Sequence, residues 1–474
     1  VRLEADSPSV ESPSATPFSW RELVFQTRLR AAALFAPAAR RSVTSRSVLV
    51  SAGFIAVTAV YSLLRVGGAG AFNSIWAEDG ALFLSDAYML PMWHTIFRPV
   101  NGYFVVLPRV MAEVAGLFPV GWGPGVLSGE AALFSAAMAV MVYAASGNIL
   151  HRPFPRFVAA FWVVAAPLAE STHTFGPNMV APLQFVELYG LFWALLWTPV
   201  RPWARVVRFT FVVACCLSTF LAVLFLPLAL LRMWACRDRA SRWLVTVLAA
   251  GAAFQTAGLV FGVSSRGGIS HPRLDPFWAL LSFADWGLPF GVAGEKIMRD
   301  PGFNEPGVHS GGGGAWYWAG VVVTWLIVLA VLAVALRRTT SPYWLFAAVA
   351  WFEAVLLLCA QIIIQGRLEL RYAYAPALIV VAALLALLRP RTLPRHAPLA
   401  TKAATWLPML ALVCVLAVSA GINYRTWTTR GLAVPWSTKV AESTAICRAD
   451  QTTPYVVAFT VDAWFVVIPC RLLR

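Results

Sequence analysis

Residues 73–88 read NSIWAEDGALFLSDAY, with Glu78 and Asp79 side by side ahead of Gly80. A positioned carboxylate can take a proton from an attacking hydroxyl. Adjacent side chains on a helix point apart, so the pair is expected in a turn or at a helix start, with Asp79 as an N-cap. Further on, IQGRLELRYAYAP (364–376) brings Arg367 and Arg371 beside Tyr372 and Tyr374. Guanidinium groups offer a planar donor fork that matches phosphate oxygens.

Other segments add weaker candidates. Arg98, Arg109, His94 and Asn101 give the first loop donors for an anion, although Arg109 and Glu113, four apart, are expected to form an intrahelical ion pair. ESTHTFGPNMVAP (170–182) offers Glu170, His173 and Asn178 to sugar hydroxyls, and the loop after it in the chain offers His271, Arg273 and Asp275. Ordinary interfacial turns account for such residues equally well. The seven cysteines show no paired CxxC spacing, so no metal site is expected from them.

The elements that hold these residues follow from composition. Of 474 residues, 59% are hydrophobic and 12% charged, against about half and a quarter in soluble domains. Folded in water, the chain would lack polar surface. Disorder, a collagen-like chain and a nucleic-acid module are excluded by the same figures, and a polytopic all-α membrane protein remains. Runs long and apolar enough to cross a bilayer lie at 47–66, 124–147, 157–169, 182–199, 243–262, 316–336, 342–364, 373–388 and 404–421. Arginines flank 209–231 at both ends, so this stretch reads as a hairpin of two short helices turning near Ser218–Thr219, which brings the expected count to about eleven.

With the N-terminus inside, 22 of the 37 basic residues fall in the inner segments and only five of the 22 acidic ones do. The formal charge of +15 is thereby explained by the positive-inside rule, with anionic lipid as its partner. Residues 1–46 become a cytoplasmic segment without a cleavable signal peptide, 47–421 a membrane domain, and 422–474 a small outer α/β appendage. Three outer segments are long, namely 67–123, 263–315 and 422–474, and chemistry is expected there. PVNGYFVVLPRVMAEVAGLFPV (99–120) suits interfacial helices, and the aromatic run 276–291 is expected to dip into the interface. Cys447 and Cys470 share the polar outer segment, where a disulfide is expected.

A first span, an acidic pair in the first external loop and interfacial helices after it together resemble the GT-C superfamily of integral-membrane glycosyltransferases. WAEDG, NGYFVVLPR and LRYAYAP are similar to stretches of a bacterial membrane-protein family associated with that superfamily. The resemblance implies a polyprenyl-phosphate-sugar donor, an extracytoplasmic glycan, lipid or protein acceptor, and a site facing outward from a bacterial plasma membrane. It places the base on Asp79, or else Glu78, and the phosphate on Arg371 beside Tyr372, aided by Arg98 or Arg273. The resemblance fixes no cofactor, though some branches use the first-loop acid to bind a metal, which admits a divalent cation. Glu130, Glu187 and Glu353 fall within spans, where ionisable groups usually mark function, and they favour a rival reading as a flippase or transporter of a lipid-linked sugar. A non-catalytic membrane scaffold is the second rival.

Overall fold

The computed structural model describes residues 20–37, 44–167, 177–261, 272–298, 314–338, 342–366, 368–390, 394, 396, 398–425, 429–461 and 464–474. These are mostly helical, with one two-stranded sheet at the C-terminal end. Helix α1 (Trp20–Leu34) precedes α2 (Ser45–Leu63). The first long loop holds a π-helical turn (Asp79–Leu84) and the short helices α3 (Ser85–Met89), α4 (Met92–Thr95) and α5 (Val106–Gly116). Then come α6 (Gly123–Ala145), α7 (Pro153–Ala165), α8 (Leu183–Leu196), α9 (Pro202–Ser218), α10 (Leu226–Cys236) and α11 (Arg239–Phe261). The second long loop contributes α12 (Pro276–Ser282), α13 (Leu288–Ala293) and α14 (Glu295–Met298). Helices α15 (Ala315–Leu336), α16 (Trp344–Gln365), α17 (Tyr374–Leu387) and α18 (Leu399–Ile422) complete the bundle, and α19 (Trp436–Ala449) leads into β1 (Tyr455–Phe459) and β2 (Phe465–Pro469).

Six helical stretches among the described residues are long and apolar enough to cross a bilayer: Ser45–Leu63, Val120–Asn148, Arg239–Phe261, Ala315–Leu336, Trp344–Gln365 and Leu399–Ile422. Pro153–Ala165, Leu183–Leu196, Phe220–Cys236 and Arg371–Leu387 are apolar but shorter. Two of the short ones, α8 and α17, sit at the centre. Every residue of α17 is buried, and so is every residue of α8 except the half-buried Gln184, so their apolar side chains meet protein on all sides.

The hairpin expected at 209–231 is present. Helix α9 stops at Ser218, Thr219 is extended, and Pro227 starts the return arm. Arg208 at one end of the hairpin and Arg232 at the other both donate to the carbonyl oxygen of Trp197, at 2.6 and 2.9 Å. Arg232 also reaches the Leu195 carbonyl. Both ends therefore lie at the C-terminus of α8, whose unpaired carbonyls the guanidiniums satisfy. The same face receives α1, through Arg28 on the Ala235 carbonyl, Asn148 on the Leu34 carbonyl and Thr198 on the Phe35 carbonyl. At the opposite end, Arg65 caps α7 through the carbonyls of Val164 and Ala166, at 2.8 and 3.1 Å.

One expectation needs correction. Arg109 does not pair with Glu113; its Nη1 meets Asp86 at 2.8 Å and its Nε donates to the Arg98 carbonyl, while Glu113 accepts from Thr95. Asp86 holds Arg98 as well, at 2.6 Å, because one carboxylate has two oxygens for two guanidiniums. The later part of the 276–291 stretch packs into the bundle, while Phe277, Leu280 and Leu281 stay exposed. Trp286, Leu288 and Phe290 are buried, with Trp325 and Tyr317 of α15 donating to the Ala284 and Asp285 carbonyls and Ser419 of α18 to that of Val292.

Candidate functional site

Residues 177–185, the turn into α8, are the hub. Ala77 adopts a left-handed backbone (φ 53°), uncommon for a residue with a side chain, and accepts the amides of Gly80 and Ala81. That reversal aims Glu78 and Asp79 apart. Asp79 turns inward and is buried; its Oδ1 accepts from the Ala181 amide at 2.8 Å and its Oδ2 from the Val180 amide at 3.1 Å. It thus caps the approach to α8, a distant helix, rather than its own turn. Burial pushes its carboxyl up from the ordinary value to about 6, opposed by those two amides and Arg430 and aided by Glu78. Gly80 is required by a close approach: a Cβ there would sit 2.9 Å from Val466 of β2. Ser85 bridges the same contact, donating to the Gly80 carbonyl and accepting from Val467.

Arg430 comes from the C-terminal segment. Buried, it donates to Ser74 Oγ, Asn178 Oδ1, Ser128 Oγ and the carbonyls of Ala71 and Ser74, at 2.7 to 3.1 Å. Asn178 completes the tie by donating to the Ser62 carbonyl at 2.7 Å. Asn178, expected to face sugar hydroxyls, is therefore buried with both ends of its amide engaged.

Beyond Asp79, the half-buried Glu78 belongs to a second group. Val100 and Tyr103 pair across Asn101 and Gly102, both left-handed (φ 51° and 86°), the geometry that Asn-Gly favours in a two-residue hairpin turn. The turn packs against α11, where Gln255 binds Phe104, and presents Tyr103 to Gln184 in the first turn of α8. Burial raises the Tyr103 hydroxyl above its ordinary value; Gln184 and the charge of Arg371 oppose this, and Glu78 and Glu369 add to it. Glu78, Gln184, Glu369 and Arg371 thus all lie within reach of the Tyr103 hydroxyl. Arg371 is paired with Glu369 and lies 5.7 Å from the centre of the Tyr372 ring, which is buried against Phe185 at 6.2 Å.

The remaining candidates divide. Arg98 is half-exposed and engaged by Asp86. Arg273 is exposed, 3.4 Å from Asp275 and 4.0 Å from the Trp278 ring centre, and its amide binds the Ile363 carbonyl near the end of α16. Asp275 caps α12 through the Trp278 amide. His173, His271, Glu170 and Arg367 lie outside the described residues. Cys447 and Cys470 are disulfide-bonded, with Cα atoms 5.4 Å apart. Among the described residues no group of three or more His, Cys, Asp or Glu is placed to hold a metal ion. With both Asp79 oxygens bonded to amides, the acidic pair does not fit a divalent cation.

Tyr103, Gln184, Gln255 and Arg430 were not among the residues expected. Asn101-Gly102 signalled the turn that carries Tyr103, but no sequence pattern links Arg430 to residues some 350 positions earlier. No protein-family model matches this chain, and no curated protein matches it.

Proposed function

We propose that the protein is a membrane glycosyltransferase that moves a sugar from a polyprenyl-phosphate donor to an acceptor hydroxyl on a glycan, lipid or protein outside the cell. Eleven embedded helices, a cytoplasmic N-terminus and an outward site complete the reading. The supporting observation is that Glu78 and Arg371, the base and the phosphate-binding cation, act on the same Tyr103 hydroxyl although they are almost 300 residues apart. Glu78 is preferred to Asp79 as base because both Asp79 oxygens accept buried backbone amides.

In the reaction, Glu78 takes the acceptor hydroxyl proton as that oxygen bonds to the anomeric carbon. The bond from the anomeric carbon to the phosphate oxygen breaks, and its electrons leave with polyprenyl phosphate. Arg371 stabilises the phosphate, exchanging its pairing with Glu369 for the ligand. Tyr103 and Gln184 orient sugar hydroxyls. Photocrosslinking tests this directly: a polyprenyl phosphate carrying a diazirine near its head group should label residues 368–374, and labelling confined to other segments would oppose the assignment.

One observation favours a transporter as the second reading. Glu187 is wholly buried, and neither carboxyl oxygen has a hydrogen-bond partner among the described residues. Glu353 is buried with the same lack of hydrogen-bond partners, although the Leu228 amide in the first turn of α10 lies close enough to favour an acid. Sugar transfer that needs Glu78 but not Glu187 separates the two readings.

A further inference from the structure

The C-terminal segment is built into the site. Gly431 passes under the first loop so closely that a Cβ at Gly68 would lie 1.8 Å from its carbonyl oxygen. Trp436 donates to the Val120 carbonyl at 2.8 Å, and its amide meets the Asn73 carbonyl at the same distance. Strand β2 lies against the π-helical turn that carries Asp79, and Trp464 packs edge-on to Trp76. At the centre of this contact, the Arg430 guanidinium joins four segments: the first loop at Ala71 and Ser74, α6 at Ser128, the turn into α8 at Asn178, and its own.

We propose that Arg430 is a positioning residue of the site, which locks the 177–185 turn against the first-loop acidic pair and thereby sets Gln184 and Tyr103 opposite Glu78. The argument is geometric. Asp79 holds the turn at Val180 and Ala181, Arg430 holds it at Asn178, and Gln184 follows within the same turn. Two anchors fix the segment's rotation where one would leave it free to pivot. Arg430 also offsets the buried Asp79 charge, which would otherwise be disfavoured there. Lysine could supply the charge but not the five-bond fork, since an ammonium lacks the planar geometry.

This inference rests on the glycosyltransferase reading for its effect on rate, but not for its effect on the turn. The test therefore reads both in Arg430→Met, Arg430→Lys and the Asp79→Asn/Arg430→Met double variant, each in the full chain. Hydrogen exchange by mass spectrometry over 177–185 should accelerate about tenfold or more in Arg430→Met, as charge-assisted bonds are lost. Turnover should fall about a hundredfold from the displaced geometry, with the donor KM within about threefold of wild type. Arg430→Lys should restore part of the turnover. If Arg430→Met fails to fold, the double variant, which removes both buried charges, carries the same two measurements, read against Asp79→Asn alone. Unchanged exchange over 177–185, or wild-type turnover in Arg430→Met, would overturn the proposal. Faster exchange in a protein that transfers no sugar would leave the positioning role standing and reject the glycosyltransferase reading.

Discussion

Gln255 holds Phe104 from both sides: its Oε1 accepts the Phe104 amide at 2.9 Å and its Nε2 donates to the Phe104 carbonyl at 3.2 Å. The same Nε2 reaches the Cys216 carbonyl at 3.0 Å. A lone glutamine in the apolar helix α11 thus satisfies three backbone groups at once. It also fixes the turn that presents Tyr103.

Gln255→Leu should therefore destabilise the protein by about 2–4 kcal/mol, the scale of leaving buried peptide groups unpaired. Thermal unfolding in detergent measures the loss. A variant as stable as wild type would mean that Phe104 is satisfied some other way.

The hairpin of α9 and α10 rests on Arg208 and Arg232 sharing the Trp197 carbonyl. Single cysteines at Trp203 and Trp234, both exposed, should label from the same side of the membrane, and one at Leu117 from the other. The background needs the free cysteines replaced and Cys447–Cys470 retained. Labelling of 203 and 234 from opposite sides would make the segment a single crossing.

Much of this architecture was legible in the sequence because it follows from local composition. The spans are apolar runs, the hairpin is apolar sequence between arginine clusters, and the Cys447–Cys470 bond joins two cysteines in the polar C-terminal segment. The acidic pair and Arg371 could be singled out because each was an ionisable residue at a membrane boundary. Their division of labour could not. Asp79 turned inward because residues 180 and 181, a hundred positions on, offered it two amides, and that contact leaves no periodic trace. Arg109 was assigned to Glu113 by helical spacing, yet Asp86 lay nearer in space. Arg430 looked like any outer arginine until its burial was seen.

The Asp79 carboxyl gives a pH signature. Its folded value of about 6 lies above the ordinary 3.8, so the native state holds the proton more tightly than the unfolded chain. The stability of wild type relative to Asp79→Asn should be greatest near pH 4, decline as pH rises to about 6, and level off above, a change of about 3 kcal/mol. Unfolding midpoints of the two proteins across this range provide the check. A difference that grows with pH over the same window would show that Asp79 is held below its ordinary value instead.

Cys470→Ser should loosen the C-terminal segment, since the bond closes a chain separation of 23 residues and such a loop contributes about 3 kcal/mol. Limited proteolysis should cut within 450–464 faster in the variant, with the membrane helices intact. Equal cleavage rates would show that β2 is held by its packing on the first loop alone.

The central claim is that Glu78 removes the acceptor proton while Arg371 holds the phosphate. Transfer from a radiolabelled polyprenyl-phosphate sugar, measured with donor binding in Glu78→Gln, tests it most directly. The account predicts a fall in turnover of about a hundredfold to ten-thousandfold with donor binding retained, whereas Arg371→Ala weakens both. Wild-type transfer by Glu78→Gln would contradict it.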